Sequence, residues 1–179
     1  MQHANNDVLK RMRRQITREE TVELIRIARE RVPNIAIRTT FLVGHPGETE
    51  AEFQDLCDFV EKMRFERVGV FKYSHEENTS AHDFADDVND EIKQARADRI
   101  MEIQQDISFE KNQEKVGQTF RVLIDKKEGG YFVGRTEFDS PEVDNEVLIP
   151  TKKNYCRLGD FATVKITSAD DYDLFGEVV

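Results

Sequence analysis

No other feature of this 179-residue chain narrows its fold as much as a β-strand that leads through a Gly-Pro turn into a capped helix. Residues 35–43 are rich in β-branched and apolar side chains, which is typical of a strand covered on both faces. A Gly-His-Pro-Gly sequence at 44–47 ends this strand, and Thr49 with Glu52 forms a capping box that begins a helix. A second strand is predicted at 68–73. Strand, helix and strand with short connections predict a βαβ unit with parallel strands and a right-handed crossover.

The hydrophobic periodicity changes from helical to strand-like in the last third of the chain. Apolar residues at helical spacing between 92 and 107 predict a long connector helix that ends near Gly117. Short strands are then predicted at 120–124, 131–135, 147–149, 162–167 and 174–179. Five strands within about 60 residues indicate a small, closed or nearly closed OB-like β-barrel. We therefore predict an α/β domain over residues 1–112 and a β-barrel domain over residues 113–179.

Composition limits the cellular compartment in which the protein is expected and the kinds of partner that it can bind. No apolar run approaches the roughly 18–20 residues that a membrane-spanning helix needs, and the first ten residues lack the apolar core of a secretory signal. The two cysteines, Cys57 and Cys156, are too far apart for a zinc ribbon and too few for a disulfide framework, which predicts a cytoplasmic protein. A net charge of -10 disfavours broad binding to a phosphate backbone and favours a basic protein partner.

The end of the first strand is the best candidate for a ligand site. Its glycines allow a ligand to approach the backbone, and the N-terminus of the following helix offers free N–H groups for an anion. This is also the end at which α/β barrels place their active sites. Arg38 and Thr40 alternate onto one face of the strand, and a buried arginine requires an anionic partner. A ligand carboxylate and a neighbouring acidic side chain both meet that requirement, and a plain turn capped by Thr49 is the alternative for the whole segment.

Three further groups of polar residues give weaker evidence for a functional site. None of the histidines has the spacing of a metal site, so we predict that no metal binds at His3, His45, His75 or His82. The basic run at residues 10–14 could contact nucleic acid, but it is interpreted as a solvated helix face. Two acidic loops of the barrel form either a solvated surface or a patch for a basic protein; their acids are Asp139, Glu142, Asp144, Asp170, Asp171 and Asp173.

Segments over nearly the whole chain resemble the RimO-type radical-SAM methylthiotransferases. The most specific are VGHPGET at residues 43–49 and GRTEFDSPEVD at residues 134–144. The resemblance implies the C-terminal part of an enzyme that adds a methylthio group to the β-carbon of an aspartate in a small-subunit ribosomal protein. It implies a partial (β/α) barrel followed by a five-stranded TRAM domain that binds this target. It also implies S-adenosyl-L-methionine and two 4Fe-4S clusters as cofactors of the full-length enzyme.

The resemblance further implies which residues face the cofactor. They lie at or near the ends of three barrel strands, and they are Gln2, Arg38, Thr40, Gly44, Tyr73 and Ser74. The sequence departs from the usual family pattern in its loops, at His45, His75, Asn78 and Ser80. The CxxxCxxC motif that holds the cluster is not in this sequence, so we expect the chain alone to bind no cluster and to be inactive. Because Gln2 and His3 resemble the inside of a strand end, we expect Met1 to mark a boundary within a longer protein.

Two other functions remain open at this stage. The sister enzymes of the MiaB type methylthiolate an adenosine of transfer RNA. Residues 113–179 contain nine Lys and Arg against thirteen Asp and Glu, and this acidic balance makes an RNA target less favourable. The second alternative is an OB-like binding module without catalysis, which is compatible with the missing cluster motif.

Overall fold

Two parallel strands and the helix between them organise the first part of the chain, as the sequence predicts. The structure is a computed structural model that describes residues 1–77, 79, 81–141 and 143–179, in two compact units, Met1–Gln104 and Gln105–Val179. Strand β1 (Arg38–Val43) pairs in parallel with β2 (Arg67–Lys72), and its first and last residues lie opposite the first and last residues of β2. The helices are α1 (Asn6–Arg11), α2 (Arg18–Arg31), α3 (Glu50–Met63) and α4 (Asp90–Glu114).

Helix α3 supplies most of the core of the first unit. Its predicted capping box is formed, because the Thr49 hydroxyl accepts from the Glu52 N–H while the Glu52 carboxylate accepts from the Thr49 N–H. The helix buries an apolar face against β1, where the ring of Phe41 meets that of Phe59 at 6.3 Å between centroids in an edge-on arrangement. Phe65, just beyond the helix, lies 6.0 Å from Phe41 and completes this aromatic cluster.

Strand β1 is buried on one face only. Thr39, Phe41 and Val43 are buried under α3, whereas Arg38 is exposed and its neighbours on that face, Thr40 and Leu42, are half-buried. The prediction of a strand covered on both faces is therefore wrong for the described part of the chain. The physical reason is that side chains alternate along a strand, and α3 covers only the face that carries the aromatic core. The prediction that Arg38 is buried is wrong for the same reason, because Arg38 lies on the uncovered face and is exposed.

The second unit is a closed five-stranded barrel, which confirms the predicted fold class. Its strands are β3 (Thr119–Glu128), β4 (Tyr131–Arg135), β5 (Val147–Pro150), β6 (Phe161–Ala169) and β7 (Leu174–Val178). They are ordered β3-β4-β5-β7-β6, with β5 and β7 parallel and every other pair antiparallel. Inward-facing residues fill the interior and include Val122, Ile124, Ile149, Val164, Ile166 and Leu174. Irregular registers in β3 and β6 bend the sheet as closure requires.

The division into units falls within helix α4, between Gln104 and Gln105. The domain boundary predicted after residue 112 remains a prediction. Within the described ranges, none of the helices combines the length and apolar character that crossing a membrane requires.

Candidate functional site

The carboxyl ends of β1 and β2 bring several predicted site residues together. The Tyr73 N–H donates to the Val43 carbonyl at 2.8 Å, so the two strand ends stay side by side beyond the last ladder pair. The Leu42 N–H donates to the Gln2 carbonyl at 2.9 Å, which places the start of the chain on the other side of β1. Gly44 follows directly. Gln2, Gly44 and Tyr73 therefore converge at the carboxyl end of the sheet.

The other predicted cofactor residues lie further from this end of the sheet or form hydrogen bonds within the chain. Thr40 is on the open face of β1, beside Gly69, where a Cβ would lie 3.7 Å from the Thr40 hydroxyl oxygen. Arg38 begins β1 and lies about 17 Å from its far end at roughly 3.3 Å per residue, so it is not at the strand tip. Ser74 is exposed, and its hydroxyl donates to Glu76 at 2.6 Å.

A buried carboxylate, that of Glu48, occupies the strand-end turn (residues 44–49). Its Oε2 accepts from the Gly44 N–H at 2.5 Å and from the His45 N–H at 3.1 Å. Its Oε1 lies 3.3 Å from the Arg96 guanidinium but accepts no hydrogen bond among the described residues. Burial raises the pKa of Glu48, while Arg96 and the two backbone donors lower it. The turn thus carries its own anion.

The remaining N–H groups of the turn are also used within the chain. The Gly47 N–H donates to the Asp87 carboxylate at 2.7 Å, and the Thr49 N–H donates to the Glu52 carboxylate at 2.8 Å. The N–H groups of Gly44, His45, Gly47 and Thr49 are therefore not free for a ligand anion, while the anion site expected at the N-terminus of α3 remains a prediction. Carboxylates of this acidic chain accept from these four donors, and the Glu48 N–H donates to the His45 carbonyl at 2.9 Å.

Helix α4 lies against the strand ends through Lys93. Gly44 has φ +75°, and a Cβ built on it would lie 2.3 Å from Lys93 Cγ, so only glycine fits here. The Lys93 ammonium lies 2.7 Å and 2.8 Å from the two carboxylate oxygens of Asp86 and 5.2 Å from the centre of the Tyr73 ring. Our sequence reasoning did not single out Glu48, Lys93 or Arg96. Lys93 and Arg96 share a helix face with the buried Ile100 and Ile103, and that spacing is the signal that could have found them.

The histidines are held by the protein in different ways. His45 is buried, its Nδ1 lies 3.1 Å from the Pro46 carbonyl, and burial lowers its pKa. His75 Nδ1 lies 3.2 Å from the Tyr73 hydroxyl, and the His75 and His82 rings are 4.4 Å apart. Among the described residues no group of three or more His, Cys, Asp and Glu could hold a metal ion. The two other departures from the family pattern, at positions 78 and 80, lie outside the described residues.

The structure brings the described residues of the two acidic loops (138–141 with 143–146, and 169–173) together. Asn112, which is fully buried, donates to the carbonyl oxygens of Asp170 at 3.2 Å and Asp171 at 3.3 Å. Its own amide oxygen accepts from the Asn145 side chain at 3.1 Å. One asparagine at the end of α4 therefore joins both loops, a role that sequence reasoning missed.

Most acids of these loops also have structural partners. Asp139 is buried and accepts from the Thr136 hydroxyl at 2.5 Å, so its burial does not fit the solvated or partner-facing position predicted for it. Asp144 accepts from the Ser140 N–H at 2.7 Å.

In the second loop, Asp171 accepts from the Gln105 side chain at 2.5 Å, and Asp173 accepts from the Glu146 N–H at 3.1 Å. Burial, followed by the nearby Asp170 and Glu146 charges, raises the pKa of Asp173, although its hydrogen bond from Glu146 opposes this. Asp170 is exposed, and the sixth predicted acid, Glu142, lies outside the described residues.

Comparison with known proteins gives a consistent result along the chain. Residues 1–60 match the model of the Radical SAM superfamily, and residues 116–179 match the TRAM domain model. The protein named ribosomal protein uS12 methylthiotransferase RimO from Flavobacterium psychrophilum is 56% identical over 177 residues, which are 99% of this chain and 41% of that protein. Proteins of the same name from Cytophaga hutchinsonii and Bacteroides thetaiotaomicron are 55% and 50% identical over 100% of this chain and 41% of their own length. The chain spans about two fifths of these relatives, and the resemblance predicted from the sequence is confirmed.

Proposed function

We propose that this chain is the C-terminal part of a radical-SAM methylthiotransferase that modifies the β-carbon of an aspartate in ribosomal protein uS12. The observation that carries the proposal is 50–56% identity, along 99–100% of the chain, to proteins named as methylthiotransferases of ribosomal protein uS12. The order of the two matched domains, radical SAM before TRAM, supports it as well. An isolated OB-like module would account only for the second match.

The open face of β1 and β2 fits an amphipathic cofactor such as S-adenosylmethionine. Thr40 provides a hydroxyl on that face and Leu42 an apolar contact, both half-buried, while Tyr73 provides a ring at the strand end. Gly44 follows at the end of β1, where the Lys93 side chain packs against it. When bound, this cofactor supplies radical chemistry. The role of the chain is to bind and orient it.

The other proposed cofactor residues have weaker support. The Gln2 amide oxygen accepts from Arg14 at 2.8 Å and the Ser74 hydroxyl donates to Glu76, so both side chains would exchange partners on binding. Arg38 lies at the opposite end of β1. We therefore assign the main cofactor contacts to Thr40, Gly44 and Tyr73.

The two cysteines of the chain do not suit an iron–sulfur cluster. Cluster ligands are thiolates, and burial raises the pKa of Cys57 to about 11 and also raises that of Cys156. The two thiols also belong to different units. We therefore assign the clusters to the part of the full-length enzyme that lies outside the region matched by this chain.

We assign target binding to the two acidic loops of the barrel. Ribosomal proteins are basic, and a group of adjacent carboxylates attracts and orients a basic partner. The loops lie side by side through Asn112, and Asp170 presents its charge to solvent. Loops at one end of OB-like barrels are common binding sites, which agrees with this assignment.

The test of the proposed function is a chimeric enzyme. The segment of Flavobacterium psychrophilum RimO that matches this chain is replaced by the 179 residues, and the protein is purified anaerobically with its clusters. Mass spectrometry should detect one methylthio group on the uS12 aspartate and none on transfer RNA. A chimera without its cluster cysteines is the control and should be inactive. Modification of transfer RNA with unmodified uS12 would favour the MiaB-type reaction, and no modification of either would favour a binding module.

A further inference from the structure

The strand-end turn contains an anion that belongs to the protein. Two consecutive N–H groups, of Gly44 and His45, converge on the Glu48 carboxylate, which is 4% exposed. Gly44 has φ +75° and Gly47 has φ +73°, a backbone conformation that residues other than glycine rarely adopt. A carboxylate in this position holds the turn closed, and it also excludes a carboxylate of any ligand from these donors.

A buried carboxylate needs a cation, and Arg96 provides it. The Arg96 Nη1 donates to the Glu48 backbone carbonyl at 3.0 Å and lies 3.3 Å from Glu48 Oε1. Its Nη2 lies 3.4 Å from Glu50, and the guanidinium lies 5.3 Å from the centre of the Phe53 ring. Arg96 is itself only 6% exposed. Planar guanidinium geometry allows these contacts at the same time, which an ammonium group does not.

We propose that Arg96, through its ion pair with Glu48, is a positioning residue that holds the strand-end turn in the shape that the cofactor meets. This inference rests on the proposed function. The pair fixes residues 44–48, and the Val43–Tyr73 hydrogen bond joins this turn to the end of β2. A shift of the turn would therefore move Gly44 and Tyr73, two of the three main cofactor contacts. Neither Arg96 nor Glu48 needs to touch the cofactor for this effect.

The first test measures the turn directly in the 179-residue chain. Arg96→Gln removes the cation, and hydrogen exchange followed by NMR should then show the Gly44 and His45 amides exchanging at least roughly tenfold faster. Amides of the barrel, such as that of Val164, should be unchanged. Arg99→Gln is the matched control, because Arg99 is on the same helix and pairs only with the exposed Glu102 in the contacts described. Unchanged exchange at Gly44 and His45 in a folded Arg96→Gln variant would overturn the inference.

Paired substitutions separate positioning from general damage to the fold. Glu48→Gln keeps an acceptor oxygen for the two N–H groups but leaves Arg96 without its carboxylate. In the double variant Glu48→Gln/Arg96→Gln both buried charges are gone, so exchange protection at Gly44 should partly return. If Arg96→Gln does not fold, Arg96→Lys takes its place, with a smaller loss of protection expected. A double variant that is only additive would contradict the coupling.

The second test uses the chimeric enzyme with its clusters. Arg96→Gln should raise the KM for S-adenosylmethionine by about tenfold or more, with a smaller effect on kcat, since misplacement of a binding loop weakens ground-state binding. Arg99→Gln should leave both constants unchanged. An active chimera in which Arg96→Gln changes neither exchange nor KM refutes the inference but leaves the proposed function intact. If the chimera is inactive, the proposed function fails, and amide exchange in the chain decides the positioning of the turn.

Discussion

At the scale of single residues, the most informative buried group outside the strand-end turn is His3. It is fully buried, and its Nδ1 accepts from the Asn5 N–H at 3.0 Å, so the ring is neutral with its proton on Nε2. Burial is the largest effect on this group and lowers its pKa from 6.5 to about 4. The folded state therefore resists protonation, while the unfolded state takes up a proton below about pH 6.5. Stability is lost as pH falls from about 6.5 towards 4.

Substitution of His3 should remove this part of the pH dependence. In His3→Asn the side-chain oxygen still accepts from the Asn5 N–H, but the residue no longer titrates. Between about pH 7 and about pH 5, the wild-type chain should lose about 2 kcal/mol more free energy of unfolding than the variant does. Urea denaturation at the two pH values measures this difference. The same loss in both proteins would show that His3 is protonated in the folded state.

At the scale of elements, closure of the barrel depends on a close approach between β3 and β4. A Cβ on Gly134 would lie 2.4 Å from the Leu123 carbonyl oxygen and 2.7 Å from Val122 Cγ1. A backbone oxygen cannot move aside as the end of a flexible side chain can. Gly134 belongs to the family-specific segment at residues 134–144, and this contact gives a physical reason for glycine at its first position.

An alanine at this position should destabilise the barrel more than an alanine in a nearby turn. Gly134→Ala should reduce the free energy of unfolding by about 2–3 kcal/mol, because the backbone must shift. The control is Gly129→Ala, in the β3–β4 turn, where φ is +59° and no atom lies within 4 Å of the added carbon. Only the backbone penalty of about 1 kcal/mol is expected there. Thermal unfolding of the two variants distinguishes them, and equal losses would mean that β3 and β4 separate easily.

At the scale of the whole molecule, charge links the composition to the proposed partner. The chain has a net charge of -10, and its acidic loops converge on one buried asparagine. Mutual attraction between these loops and a basic protein should be long-ranged and screened by salt over roughly 8–10 Å. Several carboxylates act together, so their combined effect should exceed the roughly 0–1 kcal/mol of one surface ion pair.

If the acidic loops bind the target as proposed, neutralising them should weaken binding of uS12. Asparagine retains an acceptor oxygen for each loop hydrogen bond, so we expect the triple variant Asp144→Asn/Asp170→Asn/Asp171→Asn to keep the fold. The control removes the same number of charges elsewhere on the barrel, in Asp125→Asn/Glu128→Gln/Asp160→Asn. Calorimetric titration should show weaker binding for the first variant only, with a difference that shrinks at high salt. Equal affinities of both variants, or tighter binding of transfer RNA than of uS12, would count against the acidic loops as the target site.

The local parts of this architecture follow from the sequence because neighbouring residues determine them. The capping box of Thr49 and Glu52 uses side chains three residues apart, and its prediction is confirmed. The parallel βαβ unit and the five-stranded barrel follow from strand-length and helix-length periodicity, which the chain displays without any long-range information. The family-specific motifs, likewise, are contiguous segments, and they led to the correct relatives.

The tertiary structure alone decided how these pieces are joined and which polar groups remain available. Arg96 reaches Glu48 across 48 residues, and Asn112 reaches Asn145 across 33, so no local pattern specifies either contact. The strand-end turn looked like an open anion site in the sequence, yet folding brings carboxylates onto its N–H groups. Burial of Asp139 and exposure of Arg38 were likewise settled by packing. Whether a polar group is free depends on what the rest of the chain places beside it, and that is a property of the folded molecule.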